Sequence, residues 1–187
     1  MGLLIADKKI TIKAFQTIET LDENTYYELI DGEIVKKSAP HYLHQRVSGK
    51  IFLKLQTFVS TRKLGEAFFA PIDVFLNEIN AYQPDLIYIS EARKSILTDE
   101  GVVEGSPDLV IEILSPSTGK LDRGKKMQVY ELNNVQEYWI VDLANQIVEV
   151  YVNDNQRFTL FSYAFGKENI VSRILNELNI SAAELFE

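Results

Sequence analysis

The feature that most constrains this chain is a carboxylate inside an apolar run. The segment "DLVIEIL" places Glu112 between two apolar residues on either side. A run of this kind is typical of a strand buried on both faces of a sheet. An isolated charge is costly to bury there, so the fold has to bring Glu112 something that pairs with it.

A second strand supplies another carboxylate. Both "PDLIYIS" and "PDLVIEIL" open with Pro-Asp, at Asp85 and Asp108. Side chains alternate between the faces of a strand, so Asp108 and Glu112 share one face. Asp85 lies beside Glu112 if the two strands are neighbours. Two converging carboxylates form the oxygen-rich kind of site that Mg²⁺ and Mn²⁺ prefer.

The helix that follows carries a polar stripe. Asp122, Lys126 and Tyr130 are spaced by four residues and therefore share one helical face. A short connection through "SPST" can bring Lys126 back over the end of the Glu112 strand. A lysine beside a metal-bound water and a phosphate oxygen can orient the nucleophile and stabilise developing negative charge.

The rest of the chain alternates strand and helix patterns. Residues 1–25 read as a tail and a short helix, and "ELI" and "EIV" flank Asp31-Gly32 as an N-terminal β-hairpin. Apolar residues from Leu43 to Phe58 step by three or four, which predicts a long helix. We expect one domain over 1–187, of the α/β or α+β class, with a mixed sheet flanked by helices.

Composition excludes several chemistries. Zero cysteines rule out disulfides and thiolate zinc sites, and two histidines are too few for a multi-histidine zinc site. The net charge of −8, from 19 basic and 27 acidic residues, argues against tight nonspecific binding of nucleic acid. Apolar runs fall short of the roughly 20 residues that a membrane helix needs. A cytoplasmic protein without membrane partners is the expectation.

Seven motifs together resemble a known family. The motifs "YELIDGE", "HQRV", "APIDV", "QPDLIYIS", "PDLVIEILSPST", "DRGKKMQVY" and "VQEYWIVD", in that order between Tyr26 and Val152, are similar to those of the Uma2 family of restriction-endonuclease-like proteins. That family belongs to the PD-(D/E)XK phosphodiesterase superfamily. The resemblance implies a restriction-endonuclease-like fold, a central mixed sheet with a helix on either side. It also implies Mg²⁺-dependent hydrolysis of DNA.

The resemblance assigns roles to three residues. Asp85 matches the first acidic metal ligand and Glu112 the second. The lysine of the superfamily falls at position 114, where this chain has Leu114. In the resemblance the lysine has moved to the following helix and matches Lys126, with its neighbour Lys125 as an open alternative.

Five further residues are accessory candidates, each with a plainer alternative. His44 of "HQRV" either contacts a metal-bound water or a phosphate, or is a solvent-exposed residue of a first helical turn. Glu28 and Glu33 flank the hairpin turn, where surface carboxylates are the simpler interpretation. Asp108 is a reserve metal ligand that turn chemistry also explains. Tyr130 either contacts a phosphate or packs as an ordinary interface tyrosine.

The expected function is that of a metal-dependent endonuclease cutting DNA, with Mg²⁺ or Mn²⁺ at Asp85 and Glu112. Homodimerisation fits such an enzyme, since a symmetric pair often cuts both strands of a duplex. The alternative is a catalytically inactive nuclease-fold module that binds nucleic acid or protein, which Leu114 and the acidic charge favour. A hydrolase of another phosphoester is a weaker third hypothesis.

Overall fold

A computed structural model describes residues 9–18, 25–116 and 119–187. Within these ranges the α-helices are α1 (Ile12–Phe15), α2 (Tyr42–Thr61), α3 (Gly119–Leu121), α4 (Met127–Leu132) and α5 (Ala182–Phe186). The strands are β1 (Tyr27–Ile30), β2 (Glu33–Lys36), β3 (Gly65–Phe69), β4 (Val74–Asn77), β5 (Asn80–Tyr82), β6 (Leu86–Ser90), β7 (Val103–Glu104), β8 (Leu109–Ile113), β9 (Glu137–Asp142), β10 (Ile147–Asn153), β11 (Phe158–Phe165), β12 (Asn169–Ile170) and β13 (Ile180–Ser181). The expected fold class, mixed α/β, is confirmed.

The main sheet has six strands in the order β11-β10-β9-β8-β6-β3. Its strands pair antiparallel except β8 and β9, which are parallel. A parallel pair needs a crossover connection, and α3 and α4 lie in the segment that joins β8 to β9. This topology places the crossover helices in the chain directly after Glu112.

Helices cover both faces of this sheet. Leu109, Ile111 and Ile113 of β8 join the apolar core under α2, whereas Val110 joins the core that includes Tyr130 of α4. All five residues of β8 are buried. The prediction of a strand buried on both faces is confirmed, and the alternation explains why the run around Glu112 is apolar at almost every position.

A second sheet of five strands, in the order β2-β1-β5-β4-β7, carries the N-terminal hairpin. Asp31 and Gly32 both have positive φ, 52° and 77°, as a two-residue hairpin turn requires. The resemblance implied one central sheet, so this second sheet is an addition. Ile30 and Tyr82 from it share an apolar core with Ile87 of the main sheet, and the hairpin therefore lies close to β6.

The segment predicted as one helix between β8 and β9 is interrupted. A π-helical turn at Asp122–Lys126 separates α3 from α4, and Gly124 within it departs from helical geometry (φ −119°, ψ −106°). Asp122 and Lys126 are nevertheless both buried. Ser117 and Thr118 of the "SPST" connection lie outside the described residues.

Across the described ranges, no helix combines the length and apolar character that crossing a membrane requires.

Candidate active site

Asp85 and Glu112 meet at the ends of neighbouring antiparallel strands. In the β6–β8 register Leu86 lies opposite Ile111, so the next pair outward sets Asp85 opposite Glu112. The N–H of Ile113 donates to Oδ2 of Asp85 at 2.7 Å. Directly opposite residues of antiparallel strands project to the same face. The predicted neighbourhood of the two carboxylates is therefore confirmed.

Two donors from the crossover segment face Glu112. Nζ of Lys126 lies 2.9 Å from Oε1 of Glu112, and the hydroxyl of Tyr130 donates to the same oxygen at 2.9 Å. The side chains of Lys126 and Glu112 are only 3% and 4% exposed. This pairing accounts for the burial of Glu112. It also shows that Tyr130 is more than a packing residue at this site.

Lys126 contacts two further carboxylates. Its Nζ lies 3.0 Å from Oε1 of Glu28 and 3.7 Å from Oδ1 of Asp122. We call Glu28, Glu112, Asp122 and Lys126 the carboxylate–lysine cluster. Its members come from β1, β8 and the π turn, so the cluster forms only where the two sheets and the crossover segment meet.

The cluster carries more carboxyl groups than cations. Burial raises the pKa of Glu112 to about 8; Lys126 opposes this rise, and the neighbouring charges of Asp122, Asp85 and Glu28 add to it. Burial alone would lower the pKa of Lys126, but Glu112, Glu28 and Asp122 raise it well above its usual value. Lys126 is therefore charged, and the cluster favours either a proton or a further cation.

His44 pairs with Asp85 where the site opens to solvent. Nε2 of His44 lies 3.0 Å from Oδ2 of Asp85, and the two side chains are 14% and 13% exposed. Burial opposes the charge on Asp85, yet the hydrogen bond and charge of His44 hold the pKa of Asp85 below its usual value. His44 lies in the first turn of α2. The alternative that it is simply solvent-exposed is wrong.

Each of the two candidate metal ligands is hydrogen-bonded through only one of its carboxylate oxygens. The bonds described above are made by Oδ2 of Asp85 and by Oε1 of Glu112. Oδ1 of Asp85 and Oε2 of Glu112 make no hydrogen bond with another residue in the described part of the chain. Three or more histidine or acidic side chains do not converge into a ready-made metal site among the described residues.

Two accessory candidates lie outside the cluster. The side chains of Glu33 and Lys125 are 74% and 53% exposed and approach each other at 3.9 Å. Glu33 therefore fits the surface interpretation. The side chain of Lys125 is exposed to solvent whereas that of Lys126 is buried, because adjacent residues of a helix project from different faces.

Glu28 does not fit the expectation that the carboxylates of the hairpin lie on the surface. Only 3% of this residue is exposed. Burial opposes its charge, but Lys126 and Lys37 together hold the pKa of Glu28 below its usual value. A signal was available in the sequence, because Glu28 stands in "YELI" with apolar neighbours, as Glu112 does in "VIEIL".

Asp108 is not part of the cluster. It lies at the opposite end of β8 from Glu112 and accepts the N–H of Ser90 at 2.8 Å. Arg93 approaches its other oxygen at 3.3 Å, and Gln136 also donates to that oxygen. These contacts join the start of β8 to the end of β6 and to the segment before β9. The interpretation of Asp108 as a reserve ligand finds no support in this geometry.

Replacing Asp108 by Ala should destabilise the fold. The change leaves the N–H of Ser90 and the guanidinium of Arg93 without their acceptor, and hydrogen bonds to charged groups contribute about 1.5–3 kcal/mol each. We expect the free energy of unfolding in urea to fall by about 2–3 kcal/mol. Glu104→Ala, an exposed position on β7, is the control. Equal stability of the two variants would contradict the structural role.

Comparison with known proteins adds independent information. A family model named Uma2 and described as "Putative restriction endonuclease" matches residues 12–183. An uncharacterized protein of Synechocystis sp. is 27% identical over 169 residues, covering 88% of this chain and 93% of that protein. A crystal structure from Anabaena variabilis, described as "a putative nuclease belonging to DUF820", superposes with a TM-score of 0.76 at 22% identity, over 95% of this chain and 97% of that one.

Proposed function

The chain belongs to the Uma2 family of restriction-endonuclease-like proteins, and from this premise we propose that it is a divalent-metal-dependent endonuclease that hydrolyses phosphodiester bonds of DNA. The observation that carries the proposal is that Asp85 lies opposite Glu112 at adjacent strand ends, next to the other members of the carboxylate–lysine cluster, in which carboxyl groups outnumber cations. Asp85, Glu112 and Lys126 are the proposed catalytic residues.

The residues present fit a magnesium or manganese ion. Both cations prefer oxygen ligands, and Mg²⁺ is commonly held by one or two carboxylates together with waters and substrate phosphates. Asp85 and Glu112 each keep one oxygen outside the hydrogen bonds described above. Burial and the neighbouring negative charges together raise the pKa of Glu112, and a dication would offset both effects by stabilising the carboxylate. Two protein ligands suffice for such a site.

A bound Mg²⁺ would supply Lewis acidity toward a phosphate oxygen and lower the pKa of a water. The chain's own residues would position the substrate around it. Lys126 directs two close contacts at Glu112 and Glu28, at 2.9 and 3.0 Å, and its third approach, to Asp122 at 3.7 Å, exceeds hydrogen-bond distance. We assign that third N–H to the attacking water or to the charge that develops on the phosphate.

His44 and Tyr130 hold the two carboxylates in place. His44 fixes Oδ2 of Asp85 from the solvent side, and Tyr130 fixes Oε1 of Glu112 from within the core. Carboxylates oriented in this way need little reorganisation when substrate arrives, which is the condition for efficient electrostatic catalysis. His44 and Asp85 are the most exposed side chains of this group, at 14% and 13%, so a substrate phosphate would approach from their side.

Metal-dependent cleavage is the direct test. Supercoiled, linear and single-stranded DNA would be incubated with the protein in Mg²⁺, in Mn²⁺ and in EDTA, with Glu112→Ala beside the wild type. We expect cutting with either metal and none in EDTA or with the variant. Cutting by Glu112→Ala at the wild-type rate would contradict the assignment. Direct linearisation of supercoiled DNA, rather than nicking, would support the predicted homodimer.

A second candidate function is a nuclease-fold binding module without turnover. The specific observation in its favour is the near-complete burial of Glu112 and Lys126, with Leu114 in the position of the superfamily lysine. A site closed by its own ion pair would not need a metal. Absence of cleavage, together with a melting temperature that Mg²⁺ and Mn²⁺ leave unchanged, would favour this module.

A further inference from the structure

The hairpin strand β1 reaches the site through one buried carboxylate. Oε1 of Glu28 accepts the N–H of Gln83 at 2.8 Å, lies 3.0 Å from Nζ of Lys126 and lies 3.6 Å from Nζ of Lys37. Gln83 lies two residues before Asp85 and three before the first residue of β6. A single oxygen of Glu28 thus connects three parts of the fold: the hairpin, the segment that leads into Asp85, and the crossover segment that carries Lys126.

Lys126 needs more than one contact to hold its ammonium group in a single position. It is the last residue of an irregular π turn, and ordering a lysine side chain costs up to about 2 kcal/mol of conformational entropy. Glu112 alone gives Nζ one close carboxylate contact. Glu28 supplies a second from a different sheet, and the ring of Tyr82 lies 5.4 Å from Nζ. Together these contacts define one position for the ammonium group.

We propose that Glu28 is a positioning residue of this site, which holds Lys126 in place through the 3.0 Å contact rather than binding metal or substrate itself. The proposal rests on the proposed function for its effect on catalysis, whereas the contact between Glu28 and Lys126 has consequences for folding that do not depend on any activity. The N–H of Gln83 occupies the same oxygen of Glu28, and it ties the position of Lys126 to the segment that ends in Asp85.

The substitution Glu28→Gln isolates the charge. Glutamine keeps the length of the side chain and an oxygen that can accept the N–H of Gln83, but it loses the ionic attraction for Lys126. Glu33→Gln is the matched control, because Glu33 lies on the same hairpin with its side chain 74% exposed. Both variants remove one negative charge, so a difference between them reports position and not net charge.

The first measurement is steady-state cleavage of DNA in Mg²⁺. We expect Glu28→Gln to lower kcat by about 10–100-fold, as loss of an orienting partner typically does, with KM and the affinity for Mn²⁺ within about twofold of wild type. Glu33→Gln should match the wild type. An unchanged kcat would overturn the proposal, and so would a loss of Mn²⁺ affinity as large as the loss of kcat.

The second measurement is urea unfolding in EDTA of wild type, Glu28→Gln, Lys126→Met and the double variant. In the wild-type background, Glu28→Gln should lower the unfolding midpoint, because Lys126 loses a counter-charge. In the Lys126→Met background the same change should raise the midpoint or leave it unchanged, because it removes a buried charge that has lost its closest cation and keeps only the longer 3.6 Å contact with Lys37. Equal decreases in both backgrounds would overturn the proposal.

The two measurements separate two failures. If wild type cuts no DNA with either metal, the proposed function fails. The unfolding comparison then still decides whether Glu28 holds Lys126. If wild type cuts and Glu28→Gln cuts equally well, the nuclease assignment stands and the role of Glu28 is refuted.

Discussion

Asp85→Asn is expected to lower the rate of metal-dependent DNA cleavage by about 10³-fold, the upper range for removal of one electrostatic partner of a transition state. This corresponds to about 4 kcal/mol at 1.36 kcal/mol per factor of ten. Asparagine can still accept the N–H of Ile113, which Asp85 does at 2.7 Å, so the strand ends should remain together. The change removes the charge that a divalent cation needs.

The measurement is single-turnover cleavage at saturating DNA, with circular dichroism to confirm folding. Asp99→Asn provides a matched control, because Asp99 is an exposed aspartate in the segment after β6. We expect its cleavage rate to equal that of the wild type. A rate for Asp85→Asn within tenfold of wild type would rule out Asp85 as an essential ligand.

Lys126→Met is expected to lower the free energy of unfolding by about 3–5 kcal/mol, the range for removal of one partner of a buried ion pair. The buried carboxylates of Glu28, Glu112 and Asp122 would lose their shared cation. The defect should increase as the pH rises through about 8. In the wild type, burial raises the pKa of Glu112 to about 8 even though Lys126 opposes the rise. Above that pH the wild type gains the ion pair between Glu112 and Lys126, whereas Glu112 of the variant has either to keep its proton against the rising pH or to be buried as an unpaired charge.

Urea unfolding in EDTA at several pH values measures this effect. Lys125→Met, at the exposed neighbouring position, should change stability by less than about 0.5 kcal/mol. At pH 9, adding Glu112→Gln to Lys126→Met should restore part of the loss, because glutamine needs neither a proton nor a counter-charge. A pH-independent defect below about 1 kcal/mol would show that Lys126 does not balance the buried carboxylates.

The parts of the site that sequence predicted depend on short-range geometry. Strand alternation set Glu112 on one face of β8, and the four-residue spacing of Lys126 and Tyr130 set both on one side of the crossover segment. In the structure, Nζ of Lys126 and the hydroxyl of Tyr130 each lie 2.9 Å from Oε1 of Glu112. Periodicity works here because it is a property of a few consecutive residues. The pairing of Asp85 with Glu112 needed one further assumption, that β6 and β8 are neighbours.

The parts that were missed depend on long-range contacts. Glu28 is separated from Lys126 by nearly a hundred residues, and nothing local indicates that the hairpin docks beside β6. The short strands β5 and β7, of three and two residues, are too brief to show a clear alternation. The sequence did not reveal the π turn, because Asp122, Lys126 and Tyr130 are spaced by four residues, as they would be in an uninterrupted α-helix. Tertiary packing decides all three features.

The origin of Lys126 in the crossover segment has a consequence for how such sites can vary. A lysine two residues beyond the glutamate on one strand would be fixed to it by the strand repeat, so its spacing could not change. Here Lys126 and Glu112 belong to separate segments. The connection between the two segments can lengthen or shorten, provided that the lysine still projects from the helix face that packs against Glu112. One residue inserted inside the helix would rotate the lysine by about 100° around the helix axis. Search patterns with a fixed glutamate-to-lysine spacing will therefore overlook chains built in this way.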